Sequence, residues 1–199
     1  MRFFYAFYLL LFMITHPVHA QQEGGAADSI PYIFPELQFD STESTNRYVH
    51  PDGLTLRYPF NWERDYRAGS ETLLVYVRKV DPKYPQVFRD RVSLRALGFM
   101  DSTQNLVGVA DSYNANEQKV WAQYTVNYRV LSSSLLTIQS DEALLLRIDL
   151  PELSQEKLVL FFQHKNKVYL MEYASTDISF RLQLENFWRM VNSIGFMEK

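Results

Sequence analysis

Few side chains in this sequence could do chemistry, and their spacing narrows the options quickly. His50-Pro51-Asp52 sets an imidazole and a carboxylate two residues apart. The proline and its turn constrain both, and a metal site asks for a third ligand. His164 stands among lysines beside Lys165-Asn166, where a hairpin turn leaves side chains facing water. A structural role is the reading for each. Nucleophilic catalysis has no better footing, because there is no cysteine and no Gly-x-Ser-x-Gly turn to expose a serine. Ser132-Ser133-Ser134 has no base close by in sequence and reads as a connection between helix and strand. Asp141, Glu142, Glu152 and Glu156 fall at strand ends, where carboxylates meet water. No glycine-rich phosphate loop is present. These residues assign no catalytic, cofactor or metal site, and the expectation is a protein that is not an enzyme and holds no cofactor.

The elements that would position such residues are read from periodicity. Leu54, Leu56 and Tyr58 alternate with polar residues after the turn Pro51-Asp52-Gly53, a half-buried strand. A second strand is expected over Glu71 to Val80, ended by Asp81-Pro82 and Tyr84-Pro85, and a third around Val92, Leu94 and Ala96. Helical spacing follows in Leu106, Val109, Ala110 and Tyr113, and again in Val120, Tyr124 and Tyr128. Gly108 and the Asn114/Asn116 pair interrupt it, which suggests two short helices. Strands are expected over Leu135–Gln139 and Ala143–Leu150, and a hairpin over Lys157–Gln163 and Val168–Ala174. Phe180, Leu184, Phe187, Trp188 and Val191 form one apolar helical stripe, capped by Asp177 or Ser179 and ended by Gly195. Separated strands with two helical regions predict an α+β domain with a central antiparallel sheet of about six strands flanked by helices.

The first residues have the order of an export signal: Arg2, an apolar run from Phe3 to Ile14, and a polar exit with Val18 and Ala20 at the small-residue positions. Cleavage is expected between Ala20 and Gln21. The apolar run would rise only about 18 Å as a helix against a hydrocarbon core of roughly 30 Å, too short to span. No transmembrane segment is expected in the mature chain. That chain would carry 19 basic against 23 acidic residues, which argues against nucleic acid as a partner. It would keep only His50 and His164. The absence of cysteine and of Asn-x-Ser/Thr sites fits a periplasmic location, with secretion as the alternative.

Residues 21–47 read as a polar arm before a domain spanning 48–199. An apolar island interrupts the arm at Ile30, Tyr32, Ile33, Phe34, Leu37 and Phe39, and Pro31 and Pro35 favour an extended path. Such a segment is expected to dock on its own domain or on a partner, with Tyr32, Phe34 and Phe39 as candidate contacts. Among the other aromatics, Trp62, Trp121 and Trp188 read as core, and Tyr66, Tyr84 and Tyr113 could line a groove.

The run Leu54-Thr-Leu-Arg-Tyr-Pro-Phe-Asn-Trp62 resembles the opening of PsbP-like domains, a superfamily that includes Mog-type and bacterial periplasmic DcrB-like proteins. The later order of elements, closing on Phe187-Trp188 and Val191-Asn-Ser-Ile194, follows the same plan over about residues 48–196. The resemblance implies a sheet with helices on both sides, and an assembly or adaptor role without chemistry. Two functions stay open, an accessory protein binding an envelope or secretion component and a carrier holding an apolar small molecule or lipid between sheet and helix; a third, a hydrolase, would require His50 or His164 within hydrogen-bond reach of a carboxylate and a hydroxyl.

Overall fold

The computed structural model describes residues 37–64, 73–77, 90–100 and 103–197. Its main sheet has seven strands in the order β3-β4-β5-β9-β8-β7-β6, every neighbouring pair antiparallel. These are β3 Trp62–Arg64, β4 Leu73–Val77, β5 Arg91–Phe99, β6 Arg129–Ile138, β7 Asp141–Leu150, β8 Gln155–His164 and β9 Lys167–Thr176. A second, three-stranded sheet pairs β2 (Leu54–Pro59) with β1 (Thr45–Val49) and with β10 (Gly195–Phe196). Helix α1 is Leu106–Gln123 and α2 is Asp177–Asn192.

Strand alternation divides the buried side chains into two cores. Leu158, Leu160, Phe162 and Met171 point to one face, where β2 and α2 cover them with Leu56, Phe187, Trp188 and Val191. Val159, Phe161 and Leu170 point to the other, beneath Leu106 and Ala110 of α1. Burying each large apolar side chain contributes roughly 1.5–3 kcal/mol, so central strands apolar on both sides bind both layers to the sheet. The result is the expected α+β sandwich, with seven strands in its central sheet and a small second sheet beside α2.

Local chemistry explains where the elements differ from their sequence signals. The region 103–129 holds one helix rather than two. Asn105 caps it by accepting from the Gly108 amide at 2.8 Å, and a single helical phase carries Leu106, Ala110, Tyr113, Glu117 and Trp121 toward the sheet. Val120 and Tyr124, expected on a buried face, are exposed. The helix ends without glycine. Thr125 takes a left-handed φ of 57°, with Thr125 N–H on Ala122 O and Val126 N–H on Trp121 O, both at 3.1 Å, the bonding of a Schellman cap. Thr125→Gly should therefore raise stability by about 1 kcal/mol, the relief of left-handed strain less glycine's extra entropy; an unchanged urea midpoint would refute this.

Ser132-Ser133-Ser134, expected as a connection, lies inside β6. The turns Gln139-Ser140 and Lys165-Asn166 are left-handed at both residues, as tight two-residue hairpins require. Gly195 does not end α2. It pairs with Thr55 in β10, where a Cβ would approach Thr55 Oγ1 to 3.2 Å. Side chains of Asp177 and Ser179, the expected caps, lie outside the described residues, as do residues 71–72 and 78–80 of the expected second strand.

Candidate functional site

The side chains with chemical potential gather at one end of the sandwich, where the β8–β9 turn, the end of β5, the Pro51-Asp52-Gly53 turn and β10 meet. The turn forms because Gly53, at φ 92°, lets its amide return to His50 O at 2.9 Å. The His50 ring is buried. Its Nδ1 accepts from the Asp52 amide at 3.2 Å and lies 3.3 Å from the Asp52 carboxylate. Lys167 reaches the same carboxylate and lies over the Phe99 ring at 5.4 Å.

His164 is also more enclosed than its lysine neighbours suggest. Met197 N–H bonds to Gly53 O at 2.9 Å, holding the C-terminal segment beside this turn. Phe196 there stacks on the His164 ring at 3.6 Å, and Asp141 Oδ2 meets His164 Nδ1 at 2.8 Å. Tyr169 lies between the two histidines, 5.8 Å from Phe196 and 6.3 Å from His50 by ring centroids. Two histidine–aspartate pairs thus flank one aromatic row. The His164 pair shows a carboxylate but no hydroxyl partner among the described residues. No group of three or more His, Cys, Asp or Glu suited to a metal ion occurs among them either.

Beyond this row the surface turns apolar. Phe99 is 78% exposed, and Leu97 and Met197 are exposed with it. Leu97 owes its place to a bulge between Ala96 and Gly98, where Gly98 takes a φ of 125°.

A second polar cluster is buried beneath α1. Lys157 lies 3.3 Å from Glu172, Arg91 lies 3.8 Å from it, and the Tyr113 hydroxyl donates to it at 3.1 Å. Lys157 also faces the Trp121 ring at 5.1 Å, and Trp121 Nε1 donates to Glu117 at 3.0 Å. Burial works against the Glu172 charge, but Lys157, Arg91 and the hydrogen bonds outweigh it and hold the carboxyl below the ordinary glutamate range. Burial pushes the phenols of Tyr113 and Tyr128 up, and the Glu172 and Glu117 charges push the same way. These groups pair with one another inside the sandwich, so they brace α1 on the sheet. Sequence reasoning missed this cluster. The signal was the hairpin register, in which Val159 faces Glu172 and Lys157 faces Ala174, leaving Lys157 diagonal to Glu172 on one face.

Tyr113, a candidate groove residue, is therefore part of this brace. Trp62 and Trp188 are core, and Trp121 is half-buried. Phe39 packs against its own domain, with the Arg57 guanidinium 5.5 Å from its ring centre. Ala20, Gln21, Tyr32, Phe34, Tyr66 and Tyr84 lie outside the described residues. A cleft of about 190 Å³ opens beside Phe39 and is lined also by Gln38, Arg57, Arg189, Asn192 and Ser193. It is a largely polar surface cleft, unlike the enclosed apolar cavity of several hundred Å³ that a lipid carrier needs. No helix among the described residues is long and apolar enough to cross a membrane.

The layered sheet with a helix on each face defines a PsbP-like α+β fold. It is similar to the solution structure of cyanobacterial PsbP (CyanoP) from Synechocystis, with a TM-score of 0.56 and 11% identity over 80% of this chain and 98% of that one. A protein of unknown function from Pseudomonas aeruginosa gives a TM-score of 0.46 at 12% identity, over 78% of this chain and 99% of that one. The fold assignment rests on the first. No protein-family model matches the sequence, and no curated protein does.

Proposed function

We propose that this chain is an exported, non-catalytic accessory protein that binds an envelope or secretion component through the Phe99 end of its sheet. The observation that carries this reading is the exposed Phe99 ring, seated beside Lys167 at the end of β5, where Leu97 is exposed as well. A large aromatic anchor with a charged rim is the chemistry of a protein-binding hot spot. Among the described residues, side chains pack both faces of the central strands against α1 and α2, which supports an adaptor over a carrier. Export by residues 1–20, a periplasmic location and kinship with the DcrB-like branch belong to the same proposal; they rest on the Arg2–Ala20 pattern and on Leu54–Trp62.

A photo-crosslinking residue placed at Phe99 in cells should capture one protein, while the same residue at exposed Ala115 on α1 should not. Phe99→Lys should abolish association of the captured protein and leave thermal unfolding unchanged, because the ring is exposed. Capture of a lipid or small molecule at Phe99, or identical capture at both positions, would overturn the proposal.

A further inference from the structure

Strand β6 is the outer strand of the main sheet, and it is an unusual edge. It runs for ten residues, whereas the opposite edge, β3, has only three. Natural sheets guard long edges with lysine, proline or inward charges. Here the sole charge is Arg129 at the first position, and Val130, Leu131 and Leu135 are exposed, Leu135 by 62%. Facing is fixed by register. Val130, Ser133 and Leu135 oppose Ile148, Leu146 and Leu144 of β7, whose side chains enter the core under α1, so all three lie on the α1 side.

We propose that a second copy of this chain pairs antiparallel along β6, joining two seven-stranded sheets across a two-fold axis at Ser133. The sequence of the edge supplies the argument for this occupant. Val130-Leu131, Ser132-Ser133-Ser134 and Leu135-Leu136 read alike in both directions about Ser133. A two-fold interface demands that self-complementarity, since each residue must suit its symmetry mate. With the axis at Ser133, serine meets serine, and Leu135 meets the Val130-Leu131 pair, where β6 carries its bulge. The two Arg129 residues fall at opposite ends, about 27 Å apart at 3.4 Å per residue, so no like charges oppose one another. Phe99 lies four strands away on β5, roughly 19 Å across the sheet, so the pairing leaves that end open for a different partner.

The chain's lack of cysteine makes the test direct. Directly opposed cross-strand residues lie within disulfide reach, about 4.5–5.5 Å between Cα atoms. With an added oxidant, Ser133→Cys should give a covalent dimer, while Ser134→Cys and Ala115→Cys should not. Sedimentation equilibrium of the unmodified protein should show a reversible dimer. Leu135→Lys should raise its dissociation constant at least about tenfold, with circular dichroism and thermal unfolding unchanged because that side chain is exposed. A protein that stays monomeric at every concentration overturns the proposal, as does a dimer indifferent to Leu135→Lys. Capture of a different protein at Ser133 by a monomeric chain would assign the edge to strand addition by that protein instead.

Discussion

Replacing Glu172 with alanine is expected to cost about 3–5 kcal/mol of folding stability, a large share of the roughly 5–15 kcal/mol that holds a domain together. Lys157 is buried and has the Glu172 carboxylate at 3.3 Å. Without it, an ammonium would stay beneath α1 facing chiefly the Trp121 ring, and Tyr113 would lose the acceptor of its hydroxyl. Lys157→Ala should cost a comparable amount, because it strands the carboxylate. The double replacement Lys157→Met with Glu172→Leu should recover most of the loss, since an apolar pair of similar volume removes both desolvation penalties. Urea unfolding of the parent, Lys157→Met, Glu172→Leu and the double variant forms a double-mutant cycle. Additive losses in the double variant would refute the pairing.

The same pair has a pH signature. The Glu172 carboxyl in the folded protein lies below its ordinary value of 4.5, so the unfolded chain takes up this proton more readily. The stabilisation is then complete above the ordinary value and is lost as pH falls through the lowered one. The Met/Leu double variant should lose that part of its acid sensitivity. A stability profile below pH 4.5 parallel to the parent's would contradict the assignment.

What was legible in the sequence is what burial on one face dictates locally. Leu54, Leu56 and Tyr58 had to alternate because β2 covers the core with one side, and the stripe from Phe180 to Val191 had to repeat because α2 lies flat on the sheet. Where burial does not impose a pattern, the signal fades. Ser132-Ser133-Ser134 belongs to the edge strand β6, where these side chains are not buried in the core, so nothing required apolar alternation. The end of α1 was hidden because threonine occupies a left-handed position that usually signals itself as glycine. The enclosure of His164 was hidden for a different reason. It has polar sequence neighbours, but Phe196 from the far end of the chain stacks on its ring. Contacts of that range follow from sheet topology rather than from local spacing.

The same distinction bears on where the domain begins. A chain starting at Tyr48, the boundary that composition suggests, should be less stable by about 3–5 kcal/mol than one starting at Leu37, counting roughly 1 kcal/mol for each lost hydrogen bond and partly buried apolar side chain. The structure gives the reasons. Strand β1 already starts at Thr45, which opposes Pro59, and Arg47 opposes Arg57. Upstream, Leu37 and Phe39 pack on the main core. The Asn192 side chain donates to Leu37 O at 2.7 Å, and Arg189 donates to Glu43 at 2.6 Å. These contacts tie the arm to the last turn of α2, the helix carrying Trp188 and Val191. Removing them exposes that core edge and leaves Arg57 without the Phe39 ring. A chain starting at Leu37 keeps every one of them. Equal midpoints for the Leu37 and Tyr48 chains would show that the arm only rests on the domain, and its apolar residues would then have to serve a partner.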